Sequence, residues 1–185
     1  MVAQCEELGA VFWKWQAVDG ALGKARFGGG KGGAESDRSR QTGDETERVG
    51  GRARGPLAAV IAGANVHDTK LLDATLTAVV VERPAVADQE QHLCLDKGYD
   101  NPTGHAAVAK HHYVSHIRRI GEDATARRHK KSKPRRWVVE RTLSWLSKCR
   151  ALLVRYDKNW FNPLGLMQLA GALLWYRRAH RLGAG

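Results

Sequence analysis

The sequence predicts an α/β fold in which buried strands end at acidic side chains. Residues 11–19 are rich in aromatic and β-branched side chains, and residues 92–95 form an apolar-alternating run. Each stretch ends at an aspartate, Asp19 or Asp96, with a glycine close behind. Because open α/β sheets place their chemistry at strand ends, both aspartates are candidate site residues. For Asp96 the alternative that it only caps the next turn stays open.

Composition indicates one domain and an anionic partner. A chain of 185 residues can bury one sizeable core. Its net charge of +11 and pI near 10.0 favour nucleic acid as the partner, with a merely solubilising basic surface as the alternative. Three scattered cysteines without metal-binding spacing are typical of a reducing compartment. With no membrane-spanning run and no signal peptide, we expect a cytoplasmic protein without a membrane partner.

The chain between the two aspartates alternates irregular and regular segments. Residues 23–33 are expected to form a glycine-rich loop in which Lys24 could contact phosphate. Residues 34–55 have almost no apolar side chain and no period, which predicts a disordered loop. The later predicted elements are a strand at 57–63, a helix at 69–81, the strand ending before Asp96, a helix at Pro102–Lys110, a strand at 112–117 and a closing helix at 163–181.

A basic segment at residues 118–136 follows the last predicted strand. It holds nine lysine or arginine residues against two acids. Contact with a phosphate backbone is favoured over a solvated basic face, because the segment lies beside a candidate carboxylate site. Together with Lys24, the predicted DNA-binding residues are Arg118, Arg119, Arg127, Arg128, Lys130, Lys131, Lys133, Arg135 and Arg136.

A third acid, Glu140, lies in a predicted helix at residues 137–146. It could be an ordinary surface acid paired with Arg136 four residues earlier. Two strand-end aspartates and a helical glutamate in a basic protein are also what two-metal phosphoryl transfer on DNA requires. Carboxylates suit Mg²⁺ or Mn²⁺, and two such ions stabilise both oxygens of an in-line displacement.

Four segments carry a resemblance to a known family: WQAVDGALGKARFGG, AGANVHDTKLL, HLCLDKGYD and RRWVVERTLSWL. In this order they resemble the DDE catalytic domain of bacterial insertion-sequence transposases of the insertion-sequence-five group. The resemblance implies a ribonuclease-H-like fold, a mixed five-stranded sheet flanked by helices. It also implies a catalytic and metal-binding triad of Asp19, Asp96 and Glu140 with two Mg²⁺ or Mn²⁺ ions. Arg136 matches the basic residue that typically precedes the family's glutamate.

The implied activity is cleavage of double-stranded DNA at element ends and transfer of the 3′-hydroxyl to target DNA, usually by a dimer. Residues 11–182 would form the catalytic domain and residues 1–10 a remnant of an upstream region. Two alternatives stay open. One is an inactive, truncated or frameshifted remnant that only binds DNA, and the other is a nuclease on the same fold, which would cut without joining.

One segment, residues 30–56, departs from the family where its second strand should lie. We therefore expect that strand to be missing or disordered. Suitable codons for residues 34–56, read one nucleotide later, spell PNPTDRGKRGTKRSVLVDGRGVP, which resembles the family's loop and strand. This fit favours a compensated pair of frameshifts, or a sequencing error, over a natural divergent loop. The coding DNA tests the hypothesis, which fails if its codons cannot spell the shifted frame.

Overall fold

The computed structural model describes residues 2–7, 11–25, 36–44, 55–63, 66–117, 144–146, 148–157, 159 and 161–183. Within these ranges one mixed sheet is flanked by helices. The strands are β1 (Trp15–Ala25), β2 (Ser36–Asp44), β3 (Pro56–Gly63), β4 (His92–Leu95), β5 (Val114–Ile117) and the short β6 (Val154–Arg155). The helices are α1 (Val2–Glu7), α2 (Asp68–Thr77), α3 (Pro102–Lys110), α4 (Arg150–Leu153) and α5 (Phe161–Gly183), with a 3₁₀ turn at Lys97–Tyr99.

The sheet is built around β1. Its strand order is β3-β2-β1-β4-β5, and β6 pairs with the far end of β1. β2 is antiparallel to both β1 and β3, whereas β4 runs parallel to β1 and β5 parallel to β4. The parallel connections run through α2 and α3, as parallel strands require a crossover. The prediction of a mixed sheet flanked by helices, as in the ribonuclease-H-like fold, is confirmed.

The prediction that the second strand is missing or disordered was wrong. Ser36–Asp44 lies as β2 between β1 and β3, in the segment predicted to be structureless. Ladder hydrogen bonds come from backbone groups, which every residue except proline supplies in full, so a strand without apolar residues can still pair with flanking strands. The loop predicted at 23–33 also starts too early, because β1 continues through Lys24 to Ala25.

One face of the sheet is covered by α2 and α3. Val18, Leu93 and Leu95 are buried there together with Leu72 of α2 and Val108 of α3. The alternation of buried side chains along β1 and β4 follows from the two-residue period of a strand. This packing covers one face of β1 and β4. The alternate residues of both strands lie on the opposite face of the sheet.

The helices of this layer start at clear capping signals. In α3 the Asn101 side chain accepts a hydrogen bond from the backbone N–H of Gly104, and Pro102 occupies the first turn, where no backbone donor is needed. In α2 the His67 ring accepts from the backbone N–H of Thr69. The structure begins α3 and ends it at the residues predicted from the sequence.

A second cluster joins the two termini to β3. Cys5 of α1, Trp13, Leu57 of β3 and Trp175 of α5 are all buried in it. The Trp175 indole N–H donates to the carbonyl of Pro56 at 2.8 Å, so this large ring is both packed and hydrogen-bonded. Residues 2–7 therefore contribute to the same core as the closing helix. Across the parts of the chain that the structure describes, no helix is long and apolar enough to cross a membrane.

Candidate active site

Asp19 and Asp96 occupy neighbouring parallel strands at the same height. In the β1–β4 ladder Trp15 lies opposite His92 and Ala17 opposite Cys94. Continued by two residues beyond its last pair, this register sets Asp19 of β1 opposite Asp96, which directly follows β4. The two aspartates therefore follow the last paired residues, Ala17 and Cys94, by the same two positions along their strands. Residues on the same face alternate, so both aspartates point away from the α2–α3 layer.

The two carboxylates are held in the same way. The backbone N–H of Gly20 donates to Asp19 Oδ1 at 2.9 Å, and that of Lys97 donates to Asp96 Oδ1 at 2.6 Å. Asp96 is also the N-cap of the 3₁₀ turn, so the capping role considered from the sequence is real. That role does not conflict with ligand binding, because an ionised carboxylate has about four acceptor positions and one N–H fills only one.

The sheet opens at the level of these aspartates. β4 pairs with β1 at Trp15–Ala17, and β6 pairs with it again at Lys24 and Ala25. Among the described strands, none pairs with the intervening part of β1 on this side, whereas β2 covers its other edge throughout. The chain order also reverses at β1, because β2 and β3 lie on one side of it and β4 and β5 on the other. Crevices at such positions are the usual ligand sites of open α/β sheets.

An aromatic cluster on the same face was not predicted from the sequence. Trp15 stacks on His92 with ring centroids 4.1 Å apart, and His116 of β5 lies 4.7 Å from Trp15. His116 Nε2 and His92 Nδ1 are 3.1 Å apart, and His92 Nε2 lies 3.3 Å from a Glu90 carboxylate oxygen. A carboxylate at Nε2 favours the tautomer with its proton there, which makes Nδ1 the acceptor for His116.

A period of two residues could have pointed to this cluster. Trp15 precedes Asp19 by four positions, and His92 precedes Asp96 by four, so each ring shares a face with its aspartate. Ala17 and Cys94 lie between them and are buried together. Which rings would meet depends on the β1–β4–β5 order, and the sequence pattern does not contain that order.

Most of the other predicted site residues lie outside the described residues. These are Glu140 and the nine basic residues of segment 118–136. Lys24 is described at its backbone only, near the end of β1, where it lies opposite Ser36 of β2 and Val154 of β6. In the described ranges no group of three or more histidine, cysteine, aspartate or glutamate side chains could hold a metal ion.

The donor set that is described fits a hard divalent cation in part. Asp19 and Asp96 offer carboxylate oxygens, the ligands that Mg²⁺ and Mn²⁺ prefer. Protein sites for Mg²⁺ commonly use only one or two carboxylates and complete the shell with water and substrate phosphate. The carboxylates of Asp19 and Asp96, at the crevice in the sheet, therefore suit a metal ion that also binds a substrate phosphate.

Comparison with known proteins gives one family. Residues 48–175 match the sequence profile of the family described as the transposase DDE domain. The match covers more than two thirds of the chain and includes Asp96 and the position of Glu140, whereas Asp19 lies before it. A comparison with curated proteins found no match.

Proposed function

Because the chain belongs to the transposase DDE domain family, whose members transfer phosphoryl groups on DNA in transposition, we propose that it cleaves DNA at element ends and joins the 3′-hydroxyl to target DNA. The observation that supports this proposal is the β1–β4 register, in which Asp19 and Asp96 each follow the last paired residue by two positions, where the sheet opens. The substrate would be double-stranded DNA, and a dimer would hold the paired ends.

Each carboxylate has a role in the proposal. Asp19 and Asp96 would together hold divalent metal, and Glu140 would complete the second of two sites. Bound Mg²⁺ or Mn²⁺ would supply activation of the attacking oxygen and neutralisation of charge at the phosphate. The backbone N–H donors of Gly20 and Lys97 fix the two aspartates in place, so little ordering is required when substrate arrives.

The basic segment would position the DNA. Nine cations at residues 118–136, including Arg136 one turn before Glu140, would contact phosphates on either side of the scissile bond. Lys24, near the end of β1 and five residues beyond Asp19, would add a further phosphate contact. These contacts orient the substrate and carry no sequence information, so recognition of specific ends is left to other groups.

Substitution of Asp96 by asparagine tests the triad. Asp96→Asn should reduce cleavage and strand transfer on a supercoiled plasmid carrying the element ends to background, because an amide binds Mg²⁺ more weakly than a carboxylate. Binding of duplex DNA should remain within about twofold, since phosphate contacts supply most of the affinity. Asp88→Asn, at an exposed position between α2 and β4, is the matched control. Nicking that survives Asp96→Asn would show that the assignment is wrong.

A specific observation favours a second candidate, a copy that binds DNA without turnover. The nine residues of β2, which flanks the Asp19 strand, include no apolar side chain. A strand that adds backbone hydrogen bonds but no apolar packing would hold the backbone of β1 around Asp19 less firmly, even though the Gly20 N–H orients the carboxylate. Strand transfer from pre-cleaved ends separates the candidates. A transposase joins such ends to target DNA, a nuclease on the same fold only cuts, and an inactive copy does neither.

A further inference from the structure

Gly98 lies two residues after Asp96, in the exposed 3₁₀ turn that this aspartate caps. A Cβ atom added to Gly98 would meet nothing within 4 Å, and its φ lies outside the left-handed region. Two other glycines behave differently. At Gly104 a Cβ would lie 2.3 Å from the carbonyl oxygen of Tyr99, and at Gly55 it would lie 2.5 Å from the Trp175 ring. Packing thus requires glycine at 55 and 104 but not at 98.

The free chain gains nothing from glycine at position 98. Glycine loses more conformational freedom on folding than any other residue, so a residue with a side chain would stabilise this turn. What glycine offers on an exposed surface is a bare backbone that another molecule can approach closely. A ligand that lies against the turn would account for glycine at position 98.

Hydrogen bonds connect the turn to Asp96 and to Asn101, the residue that caps α3. The backbone N–H of Tyr99 donates to the carbonyl of Asp96 at 3.0 Å, and the Asn101 side chain donates to the carbonyl of Gly98 at 3.0 Å. Lys97, directly before Gly98, is exposed. The acid on the other side, Asp100, is bridged to His105 at 3.0 Å. A cation next to a bare, exposed backbone suits an elongated phosphodiester chain.

We infer that Lys97 and Gly98, the exposed residues of the 3₁₀ turn, form a contact surface for the sugar–phosphate backbone of duplex DNA. Lys97 pairs with a phosphate, and Gly98 leaves room for that strand to reach Asp96. The inference rests on the proposed function, since it names how the same substrate enters the same crevice. It adds two contact residues from the 3₁₀ turn to a DNA surface otherwise assigned to Lys24 and the segment 118–136.

A side chain at Gly98 tests the surface. Gly98→Gln should weaken binding of a fluorescein-labelled duplex carrying the element's terminal sequence by about tenfold in fluorescence anisotropy. Gly165→Gln is the matched control, because a Cβ at Gly165 of α5 also meets nothing within 4 Å. It should bind within about twofold of the native chain. Both variants should keep the native melting temperature to within a few degrees, which separates a lost contact from a damaged fold.

Lys97→Ala provides a readout that a purely structural role would not change. The slope of log K against log salt concentration should become shallower by about one unit, as expected for one lost phosphate contact. A Gly98→Gln variant that binds as tightly as the native chain would overturn the inference, as would an unchanged salt slope for Lys97→Ala. Either result leaves the proposed function standing if Asp96→Asn abolishes strand transfer. A native chain that binds no duplex would overturn both.

Discussion

At the scale of single residues, a buried polar network ties the starting ends of β1, β4 and β5 together. The Tyr113 hydroxyl donates to Gln16 Oε1, and Gln16 Nε2 donates to the carbonyl of Trp13 at 3.2 Å. Burial raises the pKa of Tyr113 to about 12, so the hydroxyl remains a donor at all physiological pH values. The Arg83 guanidinium lies 3.8 Å from the centre of the Tyr113 ring and donates to Gln91.

Removing the hydroxyl should therefore destabilise the fold. Tyr113→Phe leaves the buried Gln16 oxygen without that donor, and we expect the free energy of unfolding to fall by about 1–3 kcal/mol. Urea unfolding followed by tryptophan fluorescence measures this loss. Tyr156→Phe is the control, because Tyr156 is 58% exposed and should change stability by less than about 0.5 kcal/mol. Equal losses in both variants would contradict the role assigned to the network.

A second residue-scale prediction concerns pH. Hydrogen bonds from Lys110 and His111, each 2.8 Å long, hold the pKa of Asp73 below its ordinary value of 3.8. A carboxyl whose pKa is lower in the folded state stabilises the fold above its unfolded pKa and loses that effect as pH falls through the folded value. Because Asp73 is partly exposed, solvent screening keeps the effect small.

The measurement is a comparison of native chain and Asp73→Asn across pH. The native chain should be the more stable of the two at neutral pH, and the difference should shrink as pH falls below about 4. Glu82→Gln, at an exposed position, is the control and should show no such trend from this bridge. A stability difference between the native chain and Asp73→Asn that stays constant down to pH 2 would mean that the Asp73 bridge does not link α2 to α3 in solution.

Sequence reasoning found the strand-end aspartates but not their surroundings, for a physical reason. Asp19 and Asp96 are local features, each an acid after an apolar run. The hydrogen bond between Gln16 and Tyr113 joins residues 97 positions apart, and the stacking of Trp15 on His92 depends on a parallel ladder. Periodicity predicts which face a residue occupies, whereas strand order decides which residue it meets.

At the scale of elements, α3 is fixed to the turn after β4 by a close contact. A Cβ at Gly104 would come within 2.3 Å of the backbone oxygen of Tyr99. Gly104→Ala should therefore push α3 away from the turn and lower the free energy of unfolding by about 1–3 kcal/mol, although alanine is the better helix former. Gly165→Ala is the control, and its open position should make it neutral or slightly stabilising. Thermal unfolding of both variants measures the contrast.

The element that sequence reasoning got wrong is β2. Helix α3 has its predicted bounds, and the structure shows local start signals in the Asn101 cap and in Pro102. β2 has no such signal, since its nine residues SDRSRQTGD include no apolar side chain. Its strand conformation is imposed by backbone pairing with β1 and β3, which no local pattern records.

Replacing the polar segment should stabilise the sheet. We expect a variant with PNPTDRGKRGTKRSVLVDGRGV at residues 34–55 to unfold with a free energy higher by roughly 2 kcal/mol or more, because its run Ser-Val-Leu-Val, at positions 47–50, would pair with β1 in place of the polar strand Ser36–Asp44 and bury apolar side chains there. A scrambled segment of the same composition is the control. Melting temperatures and strand-transfer rates equal to those of the native chain would contradict both the packing argument and its consequence for Asp19.

At the scale of the whole molecule, the excess of positive charge should dominate DNA affinity. The net charge is +11, and nine basic residues fall in the single segment 118–136. We expect binding of duplex DNA to weaken steeply with salt, largely independent of sequence. Replacing the nine cations by glutamine should make the slope of log K against log salt shallower by several units. Arg177→Gln with Arg181→Gln, on the exposed end of α5, is the control and should change the slope by at most about two units.

The parallel ladder between β1 and β4 also sets when the site can exist during folding. The chain between these strands contains β2, β3 and α2, so the ladder closes a long loop. Contacts of such high sequence separation form late, because the entropy of loop closure must be overcome first. Asp19 and Asp96 thus remain distant in a nascent or partly folded chain. A folding intermediate of this protein would attract DNA through its positive charge but would lack the paired carboxylates needed to cut it.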